Sequence, residues 1–131
     1  MLCGACGPVG ASLTATDIEA LAPLPGRTFA AAYLTLHNHG QDALTISRVS
    51  STHFAKVEIH ESQVVDGVIR MRRLDSVIID AGKSVKFESG GKHLMLIDPE
   101  AGLDVGDSIT LRFEYDNEGM LIVSAPLRKR K

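Results

Sequence analysis

The stretch FAKVEIHESQVVDGVIRM, residues 54–71, contains the pattern that decides the fold. In its first half polar and apolar side chains alternate, so Val57 and Ile59 share one face of a strand while His60 lies on the opposite, polar face. The dipeptide Asp66-Gly67 follows, and it is a strong signal for a tight hairpin turn. The sequence therefore predicts two antiparallel strands, with the second returning beside the first.

Similar short runs, apolar and rich in β-branched residues, recur along the chain between turn signals. They lie at 29–37, 43–49, 54–60, 64–71, 76–79, 84–88, 93–97, 108–115 and 120–125. Many short strands with such spacing predict an all-β protein, an antiparallel Greek-key β-sandwich. The exception is segment 16–21, which is predicted to form a helical turn that ends before Pro23 and Pro25.

Length and composition favour a single domain. A chain of 131 residues can bury one core but not two, and with 44% hydrophobic residues and no Trp that core must consist of aliphatic side chains. We expect a flexible leader or export-signal remnant at residues 1–15, the sandwich domain at 16–126 and a basic tail at 127–131. The net charge of −2 gives no general attraction to nucleic acid.

The small residues at the N-terminus are more typical of the end of an export signal than of a catalytic motif. No run reaches the roughly 18 apolar residues of a membrane-spanning helix, so no membrane span is predicted. Cys6 follows Gly4-Ala5 as in a lipid-acceptor site, but Cys3 stands where Leu is usual, so a flexible, unstructured end is favoured and lipidation of Cys6 is the alternative. The spacing Cys3-x-x-Cys6 also fits a redox motif, but that function needs a helix N-terminus after a strand, which this context does not favour.

Four residues spaced as H-x10-M-x21-H-x-M carry the strongest chemical signal. They are His60, Met71, His93 and Met95. Thioether sulfur binds Zn(II), Mg(II) and Ca(II) poorly, so a site that combines Met with His and has no carboxylate selects monovalent copper. The set predicts a Cu(I) site.

The surroundings of these residues support a role as ligands. Met71 stands among three arginines in Arg70-Met71-Arg72-Arg73, a poor setting for a residue chosen only to fill a core. His93 and Met95 are two apart, so in a strand both point to one face and lie within reach of one ion. Any one of them taken alone could equally be a packing or surface residue.

The remaining histidines have simpler explanations. In His37-Asn38-His39 the two rings stand at the end of a strand that leads into a turn, where polar residues are common, so we expect them to be structural. His53 is either a surface residue or a partner that orients the copper ligands.

The chain resembles the PCuAC family of periplasmic copper(I) chaperones over about residues 28–125. The resemblance rests on the four-residue spacing and on several stretches around it. These are Ala32–Asn38, Val57–Glu61, Asp66–Arg72, Ala81-Gly82, Gly90–Leu96, Leu103–Asp107 and Phe113. One difference is that Glu61-Ser62 follows the first His, where many relatives have a further Met. The resemblance therefore does not imply a fifth, sulfur ligand in this chain.

The resemblance implies a cupredoxin-like fold and a monomeric, non-enzymatic carrier that holds Cu(I) through His60, Met71, His93 and Met95. It further implies a location in the periplasm or on the outer face of the cytoplasmic membrane. The implied partner is a copper acceptor such as the copper-bearing subunit of cytochrome c oxidase.

Other functions of a β-sandwich remain as alternatives. An electron-transfer or copper-storage protein without a delivery role is the main one, although a blue-copper site needs a Cys ligand and both cysteines precede residue 7. A copper enzyme would need more His ligands and an open coordination position. A plain interaction module would leave the His93-x-Met95 pair unexplained.

Overall fold

The structure is a computed structural model that describes residues 12–116 and 118–129 of the chain. Within these ranges every regular element is a β-strand. The strands are β1 (Leu13–Leu21), β2 (Phe29–Asn38), β3 (Leu44–Ser50), β4 (Phe54–Val65), β5 (Val68–Leu74), β6 (Val77–Ile79), β7 (Ser84–Phe87), β8 (Lys92–Pro99), β9 (Ser108–Tyr115) and β10 (Gly119–Arg128). The all-β prediction is confirmed.

The strands form one hydrogen-bonded path in the order β5-β4-β8-β2-β1-β10-β9-β3-β6, and β7 pairs with β2 next to β8. One layer contains the first five strands of this path, β5, β4, β8, β2 and β1, together with β7. The other layer contains β9, β3, β6 and most of β10. Within the described ranges, only β10 and β1 pair in parallel, through Leu127 and Arg128. The predicted antiparallel Greek-key β-sandwich is therefore confirmed, with one short parallel contact that the sequence did not indicate.

The core lies between the two layers and consists of aliphatic side chains with three Phe. Its most deeply buried members include Leu34, Leu36, Leu94, Leu96, Ile109, Leu111 and Phe113, each at most 1% exposed. Burial of one such side chain stabilises the fold by about 1.5–3 kcal/mol. Because the side chains of Leu94 and Leu96 are on the inner face of β8, Met95 between them faces outward, as the alternation predicted.

The β4–β5 hairpin forms around the predicted turn. Asp66 and Gly67 both have positive φ, at 53° and 78°, which a two-residue hairpin turn requires. β4 extends to Val65 and β5 begins at Val68, so the second strand starts later than predicted. The register pairs Met71 with Ser62. Met71 is thus diagonal to His60 on the same face of the sheet.

The helical turn predicted for 16–21 is wrong, because these residues lie in β1. Their backbone pairs with β2, and the register shifts between Thr16 and Glu19, where Asp17 has φ 54°. A β-bulge at this point resets which side chains face inward. The alternation that would identify a strand is therefore interrupted in the sequence.

The sheet reaches past both predicted domain limits. β1 starts at Leu13 inside the predicted leader, and Leu127 and Arg128 of the predicted tail pair with β1. Cys3 and Cys6 lie outside the described residues. Across the described ranges, no helix has the length and apolar character to cross a bilayer.

Candidate metal site

The four predicted ligands lie on the outer face of neighbouring strands. His60 on β4 is directly opposite His93 on β8. Met95 is opposite Glu58 on β4 and opposite Ala31 on β2. Cross-strand partners have Cβ atoms about 5 Å apart and diagonal neighbours are about 7–8 Å apart, within reach of long side chains. The register therefore gathers the four residues into one patch of the sheet.

Three of them line a single open pocket of about 250 Å³. Met71, His93 and Met95 contribute to its wall together with Phe29 and Tyr33 of β2. Met71 is 53% exposed, so about half of this residue is accessible from solvent. The pocket combines apolar walls with ligand atoms that a second molecule could reach.

His60 is not one of the residues that line this pocket, and it is less exposed than Met71. Its ring centroid is 5.8 Å from that of His93, and its side chain is 14% exposed. Its Nε2 lies 2.9 Å from Oε1 of Glu58. Its Nδ1 is buried and, within the described part of the chain, is the one buried side-chain polar atom without a hydrogen-bond partner. In the tautomer that carries its proton on Nε2, this atom has a lone pair available for a metal ion.

The ring of His93 is oriented by a residue that precedes its own strand β8. Its Nδ1 donates to the carbonyl oxygen of Gly91 at 3.2 Å. A carbonyl oxygen only accepts, so the proton of the neutral ring is on Nδ1 and the lone pair is on Nε2. His93 therefore also has one nitrogen free to bind an ion.

Two carboxylates near the histidines are held in their charged form. The Lys56 ammonium, 2.8 Å away, and His60 lower the pKa of Glu58 from 4.5 to about 2. Lys92, at 3.2 Å, and then Arg72 lower the pKa of Glu61. Both acids are thus engaged by cations.

The set of ligand atoms fits a soft monovalent ion. Among the residues that the structure describes, no three His, Cys, Asp or Glu side chains are grouped to hold a metal. Beside the two imidazoles, the thioethers of Met71 and Met95 are the candidate soft side-chain ligands in this patch. Two imidazoles with two thioethers match Cu(I) better than Zn(II) or Mg(II).

The other histidines have structural partners. His37 is hydrogen-bonded to Thr16 at 2.8 Å and to Ser84 at 2.6 Å, and His39 is bonded to Thr14 at 2.8 Å. These contacts tie β2 to its neighbours and agree with the structural role expected for both rings.

His53 accepts a hydrogen bond at Nδ1 from the backbone N–H of Thr110, at 3.2 Å. It therefore joins the start of β4 to β9. Among the residues that the structure describes, none of its hydrogen-bond partners is a predicted copper ligand.

Sequence reasoning assigned no role to Glu58 or to the pocket wall. Glu58 had a detectable signal, because it precedes His60 by two residues and so shares its face. Phe29 and Tyr33 had none, because only the pairing of β2 with β8 brings them to the pocket.

Comparison with known proteins assigns the chain to a family. Residues 13–127 match the family described as "Putative lipoprotein LpqE-like". The chain belongs to the LpqE-like family. A relative of this LpqE-like chain, the uncharacterized protein RP573 of Rickettsia prowazekii, is 32% identical over 95 residues, 72% of the chain. The chain spans about half of that relative, 52% of its length.

Solved structures share the fold of the LpqE-like chain. The copper-bound PCuAC domain from PmoF2 superposes with a TM-score of 0.74 at 21% identity, covering 91% of this chain and 94% of that domain. The solution structure of CuI-DR1885 from Deinococcus radiodurans gives 0.67 at 22% identity, covering 96% and 87%. At these identities the similarity shows a common fold, the cupredoxin-like sandwich.

Proposed function

We propose that this LpqE-like protein is a Cu(I) metallochaperone whose ligands are His60, Met71, His93 and Met95. The main support is that Met71, His93 and Met95 line one open pocket, while the neighbouring His60 has a buried Nδ1 that has no partner among the described residues. An unpaired buried nitrogen costs free energy in the metal-free protein, and a bound ion would remove that cost.

Structures with the same fold add to this support. Two of them are copper-bound forms, the PCuAC domain from PmoF2 and the Cu(I) form of DR1885. The residues of the LpqE-like chain offer the ligand types that such a cargo needs.

The chemistry of the patch suits transfer more than permanent storage. A half-exposed thioether such as Met71 can be replaced by a ligand from an acceptor without opening the core. Thioethers bind without losing a proton and do not form disulfides, which suits an oxidising compartment. The protein would thus pass copper on by ligand exchange and catalyse no reaction.

The proposal extends to location and partner. The lipoprotein description of the family favours the periplasm or the outer face of the cytoplasmic membrane, with Cys6 as the candidate lipid acceptor. The acceptor is proposed to be the copper-bearing subunit of cytochrome c oxidase, with the chaperone acting as a monomer.

The test is metal binding by the purified protein. We expect one Cu(I) per chain in competition with a Cu(I) chelator, and much weaker binding of Zn(II). X-ray absorption should count two sulfur and two nitrogen neighbours. A preference for Zn(II), or a stoichiometry near zero, would contradict the proposal.

Delivery is tested separately. The Cu(I)-loaded protein is mixed with the soluble copper domain of the oxidase subunit, and copper is measured on each protein after separation. Copper that stays on the loaded protein, despite normal binding, would favour storage over delivery.

A further inference from the structure

We infer that Glu58 is a positioning residue that makes His60 bind copper through Nδ1, while His93 binds through Nε2. The inference rests on the proposed Cu(I) site and adds to it which ring atoms are the ligands and which side chain selects one of them.

The first step concerns the proton on His60. A charged carboxylate only accepts hydrogen bonds, so the 2.9 Å contact between Glu58 Oε1 and His60 Nε2 places the proton of the neutral ring on Nε2. The lone pair is then on Nδ1, the buried atom without a partner. A proton on Nδ1 would be buried without an acceptor, which is unfavourable.

The second step concerns how Glu58 is held. Its Oε2 contacts Nζ of Lys56 at 2.8 Å and lies 3.8 Å from Arg73 on β5. The Glu58 side chain is only 16% exposed. These cations occupy one carboxylate oxygen and leave the other directed at His60, so the ring orientation is fixed before any metal arrives. Partners of this kind keep a metal-binding His in one tautomer and raise its basicity.

The third step is the opposite arrangement of His93, its partner across β4 and β8. There the Gly91 carbonyl holds the proton on Nδ1 and leaves Nε2 free. The two rings, 5.8 Å apart, are thus held in different tautomers by different acceptors. A carboxylate assists one ring and a neutral carbonyl assists the other, so loss of Glu58 should affect His60 alone.

The experiment compares three variants with the wild-type protein. Glu58→Leu removes the acceptor, and Glu58→Gln removes the charge but keeps an acceptor oxygen. Glu61→Leu is the matched control, because Glu61 is also an engaged acid on β4 but pairs with Lys92 and Arg72 and not with a histidine.

The first measurement needs no metal. Long-range ¹H–¹⁵N NMR of the metal-free protein reports the tautomer of each His ring. We expect His60 to be protonated on Nε2 in wild type, Glu58→Gln and Glu61→Leu, and to become a mixture of tautomers in Glu58→Leu. His93 should keep its proton on Nδ1 throughout.

The second measurement is Cu(I) affinity by chelator competition. Glu58→Leu should lose about 10–100-fold, the usual effect of removing a partner of a metal-binding His, and Glu58→Gln should lose less. The Cu(I) affinity of Glu61→Leu should stay within about threefold of wild type, because Glu61 pairs with Lys92 and Arg72 and does not orient a metal-binding His. A thermal midpoint for each variant identifies a general loss of stability, which would not change the tautomer of one ring selectively.

Two outcomes would overturn the inference. One is a wild-type His60 protonated on Nδ1, and the other is an unchanged tautomer and affinity in Glu58→Leu. If the wild-type protein binds no Cu(I), the proposed function fails. The tautomer measurement still decides independently whether Glu58 controls His60.

Discussion

The decisive question for single residues is whether a methionine at the patch is a ligand or packing. Met71 and Met95 both line the pocket, but only their sulfur distinguishes them from leucine at similar volume. Substitution by leucine therefore separates the two roles, since it keeps volume and hydrophobicity and removes the lone pair.

We expect Met95→Leu to cost less than about 1.5 kcal/mol in free energy of unfolding and to lower Cu(I) affinity substantially. Met71→Leu should behave in the same way, because its side chain is half exposed. The measurements are the thermal midpoint and the Cu(I) affinity by chelator competition.

Met120→Leu is the matched control for both. Met120 is 45% exposed on β10 and lies outside the pocket, so its replacement should change neither quantity. Equal affinities for Met95→Leu, Met71→Leu and this control would show that the thioethers are not ligands.

At the scale of elements, the β4–β5 hairpin has two distinct parts. Its base carries Ile59, which is 5% exposed and belongs to the core, and its tip carries Ile69, which is 74% exposed. The base determines where His60 stands, whereas the tip extends the patch with exposed aliphatic side chains. Ile59 therefore contributes more to the free energy of unfolding than Ile69, although both are isoleucines of the same hairpin.

The change Ile59→Ala should destabilise the protein by about 2–5 kcal/mol, since it removes buried methyl groups and leaves a cavity. The change Ile69→Ala should stay within about 0.5 kcal/mol, as is usual for exposed sites. Urea unfolding of the two variants gives the comparison. A similar decrease in the free energy of unfolding for both variants would mean that Ile69 at the hairpin tip is buried in solution.

At the scale of the whole molecule, the terminal strands join the two layers. β10 pairs with β9 along its length and then, through Leu127 and Arg128, with β1. β1 in turn pairs with β2, whose other edge carries β8 and the site. Pairing that starts at Leu13 thus contributes to the layer that carries the proposed ligands.

Removal of residues 1–10 should leave the thermal midpoint and Cu(I) affinity unchanged, because β1 begins at Leu13 and the proposed ligands begin at His60. Removal of residues 1–21 deletes β1 and should lower the midpoint strongly, because β2 loses the strand that pairs with one of its two edges. Loss of Cu(I) affinity in the shorter truncation would instead assign Cys3 and Cys6 to the metal site.

The sequence by itself determined the fold class and the candidate residues. Alternation around Ile59 and between Leu94 and Leu96 identified strands with one buried face, since side chains in a strand alternate with a period of two. Asp66-Gly67 identified the hairpin, because its backbone conformation suits few other residues. The soft ligand types indicated Cu(I) as the candidate metal without reference to geometry.

Tertiary structure alone decided how those residues meet. Segment 16–21 became a strand because β2 provided backbone partners, and the bulge at Asp17 concealed the alternation that sequence reasoning needs. The position of Met71 diagonal to His60 depends on hairpin register, and the free Nδ1 of His60 depends on a contact with Glu58. The pairing of His60 with His93 and the burial of side chains between the layers arise only when strands distant in the chain meet, so no local pattern could specify them.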